Sequence, residues 1–174
     1  MKIIIAAAFA AIFLYASIAY AEEMEMKNLD VYLGFSQVPI DHTCEGKNIS
    51  PRIEVQGLNA TSMAVIVEDQ DAPSGVFTHW IIWNIPPMDA IPAGIPNSAT
   101  VTKPIQAVQG LNGFGKVGYL GPCPPPGKLH RYSFRVFGLD TMLELQAGAS
   151  RQSLEKAMTG HMLQQGKAMA TYER

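Results

Sequence analysis

Apolar residues in this chain fall into two kinds of run. Met63-Ala64-Val65-Ile66-Val67 is continuously apolar and rich in β-branched side chains, the pattern of a strand buried on both faces. A second run, Thr78-His79-Trp80-Ile81-Ile82-Trp83-Asn84-Ile85-Pro86, reads the same way, with His79, Ile81, Trp83 and Ile85 in phase and the two tryptophans facing opposite layers. Leu129 to Phe137 alternates instead: His130, Tyr132, Phe134 and Val136 share one face, and Arg131, Ser133 and Arg135 the other. Shorter strands are predicted over Leu29 to Phe35, Arg52 to Gln56, Thr102 to Val108 and Ala168 to Tyr172. The period changes near the end. Leu154, Ala157, Met158, His161 and Met162 lie on one helical face, which would bury His161 in the core. Ser150 serves as N-cap and Gly166 as terminator, with Gly160 inside the helix at a cost of up to about 1 kcal/mol. The predicted class is mostly β, with a C-terminal helix packed on the sheet.

Between the strands lie loops of unusual composition. Glu68-Asp69-Gln70-Asp71-Ala72-Pro73 follows the first buried run, and acidic side chains are out of place there unless something needs them. Pro39 to Pro51 and Pro86 to Pro104 are rich in turn formers. Gly118-Tyr119-Leu120-Gly121-Pro122-Cys123-Pro124-Pro125-Pro126-Gly127 can be neither helix nor central strand, because proline lacks the required donor. It predicts a rigid loop that delivers His130 to the mouth of an apolar face, as the acidic loop delivers His79.

Met1-Lys2, the apolar run Ile3 to Tyr15 and Ala19-Tyr20-Ala21 form a secretory signal peptide pattern over 1–21, cut before Glu22. The alternative is a membrane anchor, but the run is short for a span of about 20 residues. The remaining 22–174 is one domain by size, able to bury about 70% of its unfolded surface. A periplasmic or secreted protein is expected, not an integral membrane protein. Net charge is −2, with no Lys/Arg cluster, so nucleic acid is not indicated as a partner. Cys44 and Cys123 are an even pair in an exported chain, which favours a disulfide. Two free thiols or half of a metal site are the alternatives; the spacing is a poor zinc signal. Asn48-Ile49-Ser50 and Asn59-Ala60-Thr61 match the glycosylation pattern.

Asp69, Asp71, His79 and His130 could converge into one site. A carboxylate beside an imidazole orients the ring and favours its charged form, so the pair can meet an oxyanion while the second acid meets an ammonium or hydroxyl. The structural alternative is that each Asp ties up turn amides and each His is a satisfied strand-end residue. Tyr132 reads as a core aromatic and His42 as a solvated loop residue.

Asp69-Gln70-Asp71-Ala72-Pro73 with His79-Trp80, and Gly121 to Gly127 with His130-Arg131-Tyr132, resemble the two signatures of the phosphatidylethanolamine-binding proteins, also called Raf kinase inhibitor proteins, in their bacterial and archaeal form. Gly46-Lys47-Asn48-Ile49-Ser50-Pro51, Gly148-Ala149-Ser150 and Met158-Thr159-Gly160-His161 support the match. The resemblance implies a single Greek-key β domain. Its pocket, which takes phosphate-like anions or phospholipid head groups, would be formed by Asp69, Asp71, His79 and His130 and lined by Pro124, Pro125 and Tyr132. It implies a cis bond at Ala72-Pro73, no cofactor, and a binding or inhibitory role towards a kinase or protease. A homodimer stays open. Gln70 stands where the signature usually has proline, which would loosen Asp69, and a Cys44–Cys123 bridge would brace the pocket loop. The competing function is a hydrolase using His79 or His130 as general base; a metal centre from the same Asp and His residues is a weaker third idea.

Overall fold

In the computed structural model, residues 27–174 are described, so the expected signal peptide and its cleavage point lie outside the described residues. Ten strands follow in order: β1 (Lys27–Asn28), β2 (Asp30–Tyr32), β3 (Ile53–Gln56), β4 (Ser62–Asp69), β5 (Phe77–Ile85), β6 (Ala90–Ile91), β7 (Thr100–Val101), β8 (Ala107–Gln109), β9 (His130–Leu139) and β10 (Met162–Tyr172). A 3-10 turn spans Ile40–His42, and one α-helix, α1 (Arg151–Met158), directly precedes β10. Seven strands form a sheet in the order β1-β10-β9-β4-β5-β8-β7, and β2-β3-β6 form a second sheet. Every residue of β4 is buried, as its unbroken apolar pattern demands.

The two faces of the large sheet have different covers. Val65, Val67, Trp80, Ile82, Tyr132, Phe134 and Val136 pack with Ile53, Val55 and Ile91 of the small sheet. Ala64, Ile66, Ile81, Trp83 and Phe137 pack with Leu154 and Met158 of α1. The tryptophans therefore face opposite layers, and each fully buried large side chain contributes about 2–3 kcal/mol of burial energy. Among the described residues, no helix is long and apolar enough to cross a membrane.

The tail departs from its expected period. Ser150 does cap α1, its hydroxyl accepting the Ser153 N–H, but the helix ends at Met158. Gly160 adopts φ +83°, the left-handed conformation that closes helices and that glycine enters without a Cβ penalty. Residues from Met162 onward then form an 11-residue strand along β9, and Gly166 lies within it. His161 is consequently exposed, paired with Asp140 at 2.8 Å, rather than part of the core. Of the strand expected over Thr102 to Val108 only Ala107 and Val108 are strand, in β8; β7 ends at Val101, and 102–106 is loop.

Candidate functional site

Asp69 ends β4 directly opposite Tyr132 of β9, and two residues back along β9 is His130. The His130 Nδ1 is 2.7 Å from Asp69 Oδ2, and both side chains are less than one-tenth exposed. The other carboxylate oxygen of Asp69 accepts the Asp71 N–H at 2.8 Å. Gln70 firms this arrangement, contrary to the expectation. Its N–H donates to the Arg131 carbonyl at 2.9 Å, extending the β4–β9 ladder by a bond that proline could not make.

His79 reaches the same place by a different device. Val67 pairs with Trp80 but the next residue, Glu68, pairs with Thr78, so His79 is the extra residue of a β-bulge. The bulge breaks the phase expected from the sequence. Ile81 and Trp83 face the helix, whereas His79 packs edge-on to Tyr132 on the opposite side, with ring centroids 5.3 Å apart. Its Nδ1 is 2.7 Å from the Leu120 carbonyl, so Nδ1 carries the proton and Nε2 is left for a ligand. Burial lowers the pKa of His79; the Leu120 carbonyl and the Asp69 charge oppose the shift, and His130 adds to it. The unliganded ring is neutral near pH 7.

The proline loop is clamped from behind. Asn48, at φ 55°, accepts the Gly121 N–H on its side-chain oxygen at 2.6 Å, and Tyr119 donates its hydroxyl to the His42 carbonyl. A Cβ on Gly121 would sit 2.5 Å from that same carbonyl oxygen, so only glycine fits there. With Asn48 so committed and Ser50 buried, this glycosylation pattern is spent on structure. Cys44 and Cys123 form a disulfide with Cα atoms 5.4 Å apart, fastening the loop to the segment before Asn48.

These elements enclose a cavity of about 500 Å³, within the size range of small-molecule sites. Asp69, His79 and His130 supply polar groups; Phe77, Phe114, Leu120, Pro124 and Pro125 supply apolar wall, with the disulfide, Ser74 and Arg174 also in the lining.

The sequence profile of the family described as Phosphatidylethanolamine-binding protein matches residues 34–173. The chain belongs to the phosphatidylethanolamine-binding protein family. UPF0098 protein PH1269 of Pyrococcus horikoshii is 51% identical over 156 residues, covering 88% of this chain and 79% of its own. The crystal structure of E. coli YbcL, described as a member of the mammalian family, superposes with TM-score 0.75 at 30% identity, covering 84% of this chain and 98% of its own. The homologue CT736 of Chlamydia trachomatis gives TM-score 0.74 at 34% identity, covering 86% and 98%.

Of the residues that the family signatures singled out, Asp69, His79, His130, Pro124 and Pro125 line the cavity. Tyr132 lies behind the lining, fully buried, its hydroxyl without a hydrogen-bond partner; burial and then the Asp69 charge push its pKa up. Asp71 does not line the cavity. Both its oxygens are taken by Arg131, through Nε at 2.9 Å, Nη2 at 2.7 Å and the backbone N–H at 2.8 Å. Those bonds, the side-chain ones first, lower its pKa from an ordinary 3.8 to about 2. The cis bond among the described residues is Lys103–Pro104, not Ala72–Pro73. Ala72 instead opens a turn that accepts the Gly75 N–H, with the trans bond that is the default. No group of three or more His, Cys, Asp or Glu side chains placed to hold a metal occurs among the described residues.

Sequence reasoning missed Phe77, Phe114 and Arg174. Phe114 carried a signal: an aromatic between two glycines, held at 70% exposure in a turn by the Asn112 side chain and packed edge-on against Phe77.

Proposed function

We propose that this protein binds a small phosphate-like anion, free or as a phospholipid head group, and acts through that binding on a protein partner rather than as an enzyme. The observation that carries this reading is the pairing of His79 and His130 in one largely apolar cavity. Each ring has its Nδ1 committed, to Leu120 and to Asp69, so each has its Nε2 to offer. Fixed ring orientation removes the ordering cost of binding. The partner half of the reading is supported by exposed apolar side chains: Phe114 of the lining, and Val76 and Leu129, the chain neighbours of Phe77 and His130, are at least half exposed. A kinase or protease is the partner class that family membership suggests, and an exported location fits the disulfide.

Calorimetric titration with inorganic phosphate and phosphoethanolamine is the test: binding is expected in the wild type and a loss of at least about tenfold in His79→Ala and His130→Ala. Undiminished binding in both variants would remove the cavity from the account.

One observation favours a second reading. Asp69 and His130 have the geometry of an acid-oriented general base. Among the described residues, however, neither ring is hydrogen-bonded to a nucleophile, and Ser74 lies in the cavity lining without such a contact. Turnover of simple phosphate or carboxylate esters, abolished by His130→Ala, would establish it.

A further inference from the structure

We propose that Arg174 is the anion anchor of this cavity: its guanidinium holds the charged oxygens of a phosphate-like group whose protonated oxygen donates to His79. This rests on the binding reading above and adds to it a residue, a direction of approach and a preference for ligand charge.

The chain has five arginines. Arg52 pairs with Glu54, Arg131 with Asp71, and Arg135 and Arg151 with both Glu68 and Glu155. Arg174 has no carboxylate partner among the described residues, and it is the only lysine or arginine in the cavity lining. Its position is set by backbone and by sulfur. The backbone oxygen of Arg174 accepts the Gly127 N–H at 2.8 Å, tying this residue to the proline loop. One guanidinium nitrogen, Nη1, lies 3.3 Å from Cys123 Sγ, and a disulfide sulfur is a weak acceptor that leaves most of the fork unspent. A guanidinium so placed suits two oxygens of one tetrahedral anion.

The floor of the cavity needs this cation. The Asp69 carboxylate is spent on the His130 ring and the Asp71 N–H, and the neutral His79 presents a lone pair at Nε2 rather than a proton. A fully deprotonated anion would meet that lone pair with repulsion. Hydrogen phosphate, or a phosphomonoester carrying one proton, offers a donor to His79 and charge to Arg174 together. A phosphodiester head group offers the charge alone.

The test is titration calorimetry of the oxidised protein with inorganic phosphate and with glycerophosphoethanolamine, on wild type, Arg174→Met and Arg174→Lys, with thermal unfolding as a control. Arg174→Met is expected to weaken phosphate binding about tenfold and flatten its salt dependence without lowering Tm, since the backbone bond to Gly127 survives. Arg174→Lys is expected between the two, keeping the charge but not the fork. Phosphate is expected to bind more tightly than the diester. Wild-type phosphate affinity retained in Arg174→Met would overturn the proposal while leaving the binding reading intact. Tighter binding of the diester would overturn the role given to His79. A wild type that takes up neither probe would overturn the binding reading and this one with it.

Discussion

Glu68 and Asp69 are adjacent acids on one strand, both almost fully buried, and they have opposite fates. Glu68 faces α1, within 3.1 Å of Arg135 and 2.8 Å of Arg151, and Glu155 bridges the same two arginines. Two anions and two cations answer one another's charge, and the groups they leave without a hydrogen bond, Glu68 Oε1 and Arg135 Nε, are buried and do not line the cavity. Asp69 faces the small sheet and meets an imidazole and one backbone N–H. That partner ring keeps a nitrogen for the cavity. Burial of an acid therefore does not mark a site in this fold. What distinguishes the two is whether the partner's remaining hydrogen-bonding capacity opens onto free volume.

The largest expected effect separates the two acids directly. Asp69→Ala should lower stability by about 3 kcal/mol, because it leaves His130 buried without its partner and the Asp71 N–H without its acceptor. It should also abolish phosphate binding. Glu68→Ala should cost about 2 kcal/mol, since the arginines it abandons are about one-third exposed and keep Glu155. Phosphate affinity should stay within about twofold of wild type, as Glu68 faces away from the cavity. Denaturant unfolding and calorimetry on both variants would decide it: equal losses of affinity would mean that the faces of β4 are not independent.

Much of this contrast was open to inspection in the amino-acid order, and the part that was not has a definite cause. The alternation of His130, Tyr132, Phe134 and Val136 correctly placed one imidazole, because β9 runs without a bulge against β4. Counting by twos failed for His79. The bulge is a property of how β5 pairs with β4, and no local pattern in β5 contains it. Asp71 was grouped with Asp69 because they share one acidic loop and one signature, yet its partner, Arg131, is 60 residues away. Arg174 was invisible for the same reason: only the pairing of β10 with β9 brings this residue beside the proline loop. Gly160 was legible and misjudged. A glycine two residues past a turn of good helix formers reads as a weakness inside the helix or as its end, and its positive φ decides for the end.

The next effect concerns the proton on His79. Burial favours the neutral ring in the folded, unliganded protein, whereas the unfolded chain takes up a proton near pH 6.5. This contribution therefore leaves stability intact above about pH 6.5 and erodes it as pH falls below that value. An anion with no proton of its own at Nε2 reverses the preference, so its binding takes up a proton. Sulfate is the suitable probe, because phosphate changes its own charge within this pH range. Sulfate affinity should rise as pH falls from 7.5 to 5.5, by up to about tenfold per unit for one proton. His79→Asn should lose that slope. A slope unchanged by the substitution would place the proton elsewhere.

The smallest effect tests whether Asp71 belongs to the cavity side of the comparison at all. Arg131 occupies both its oxygens at the surface, a bidentate pair that braces the acidic loop against the start of β9. Because this pairing lowers the Asp71 pKa from 3.8 to about 2, its stabilising contribution is complete above about pH 4 and disappears as pH falls towards 2. The difference in Tm between wild type and Asp71→Asn should be small at pH 7 and vanish over that interval. Phosphate affinity should change by less than about twofold, since the lost group is an exposed brace and not a ligand. Phosphoethanolamine makes the comparison sharper, because its ammonium would reward a free carboxylate. If Asp71→Asn weakened phosphoethanolamine while sparing phosphate, Asp71 would have to leave Arg131 on binding, and the loop that holds it would be part of the site. Equal behaviour towards both ligands keeps Asp71 with Glu68, as an acid whose charge is answered within the protein, and leaves Asp69 as the one member of the triplet whose pairing opens onto the cavity.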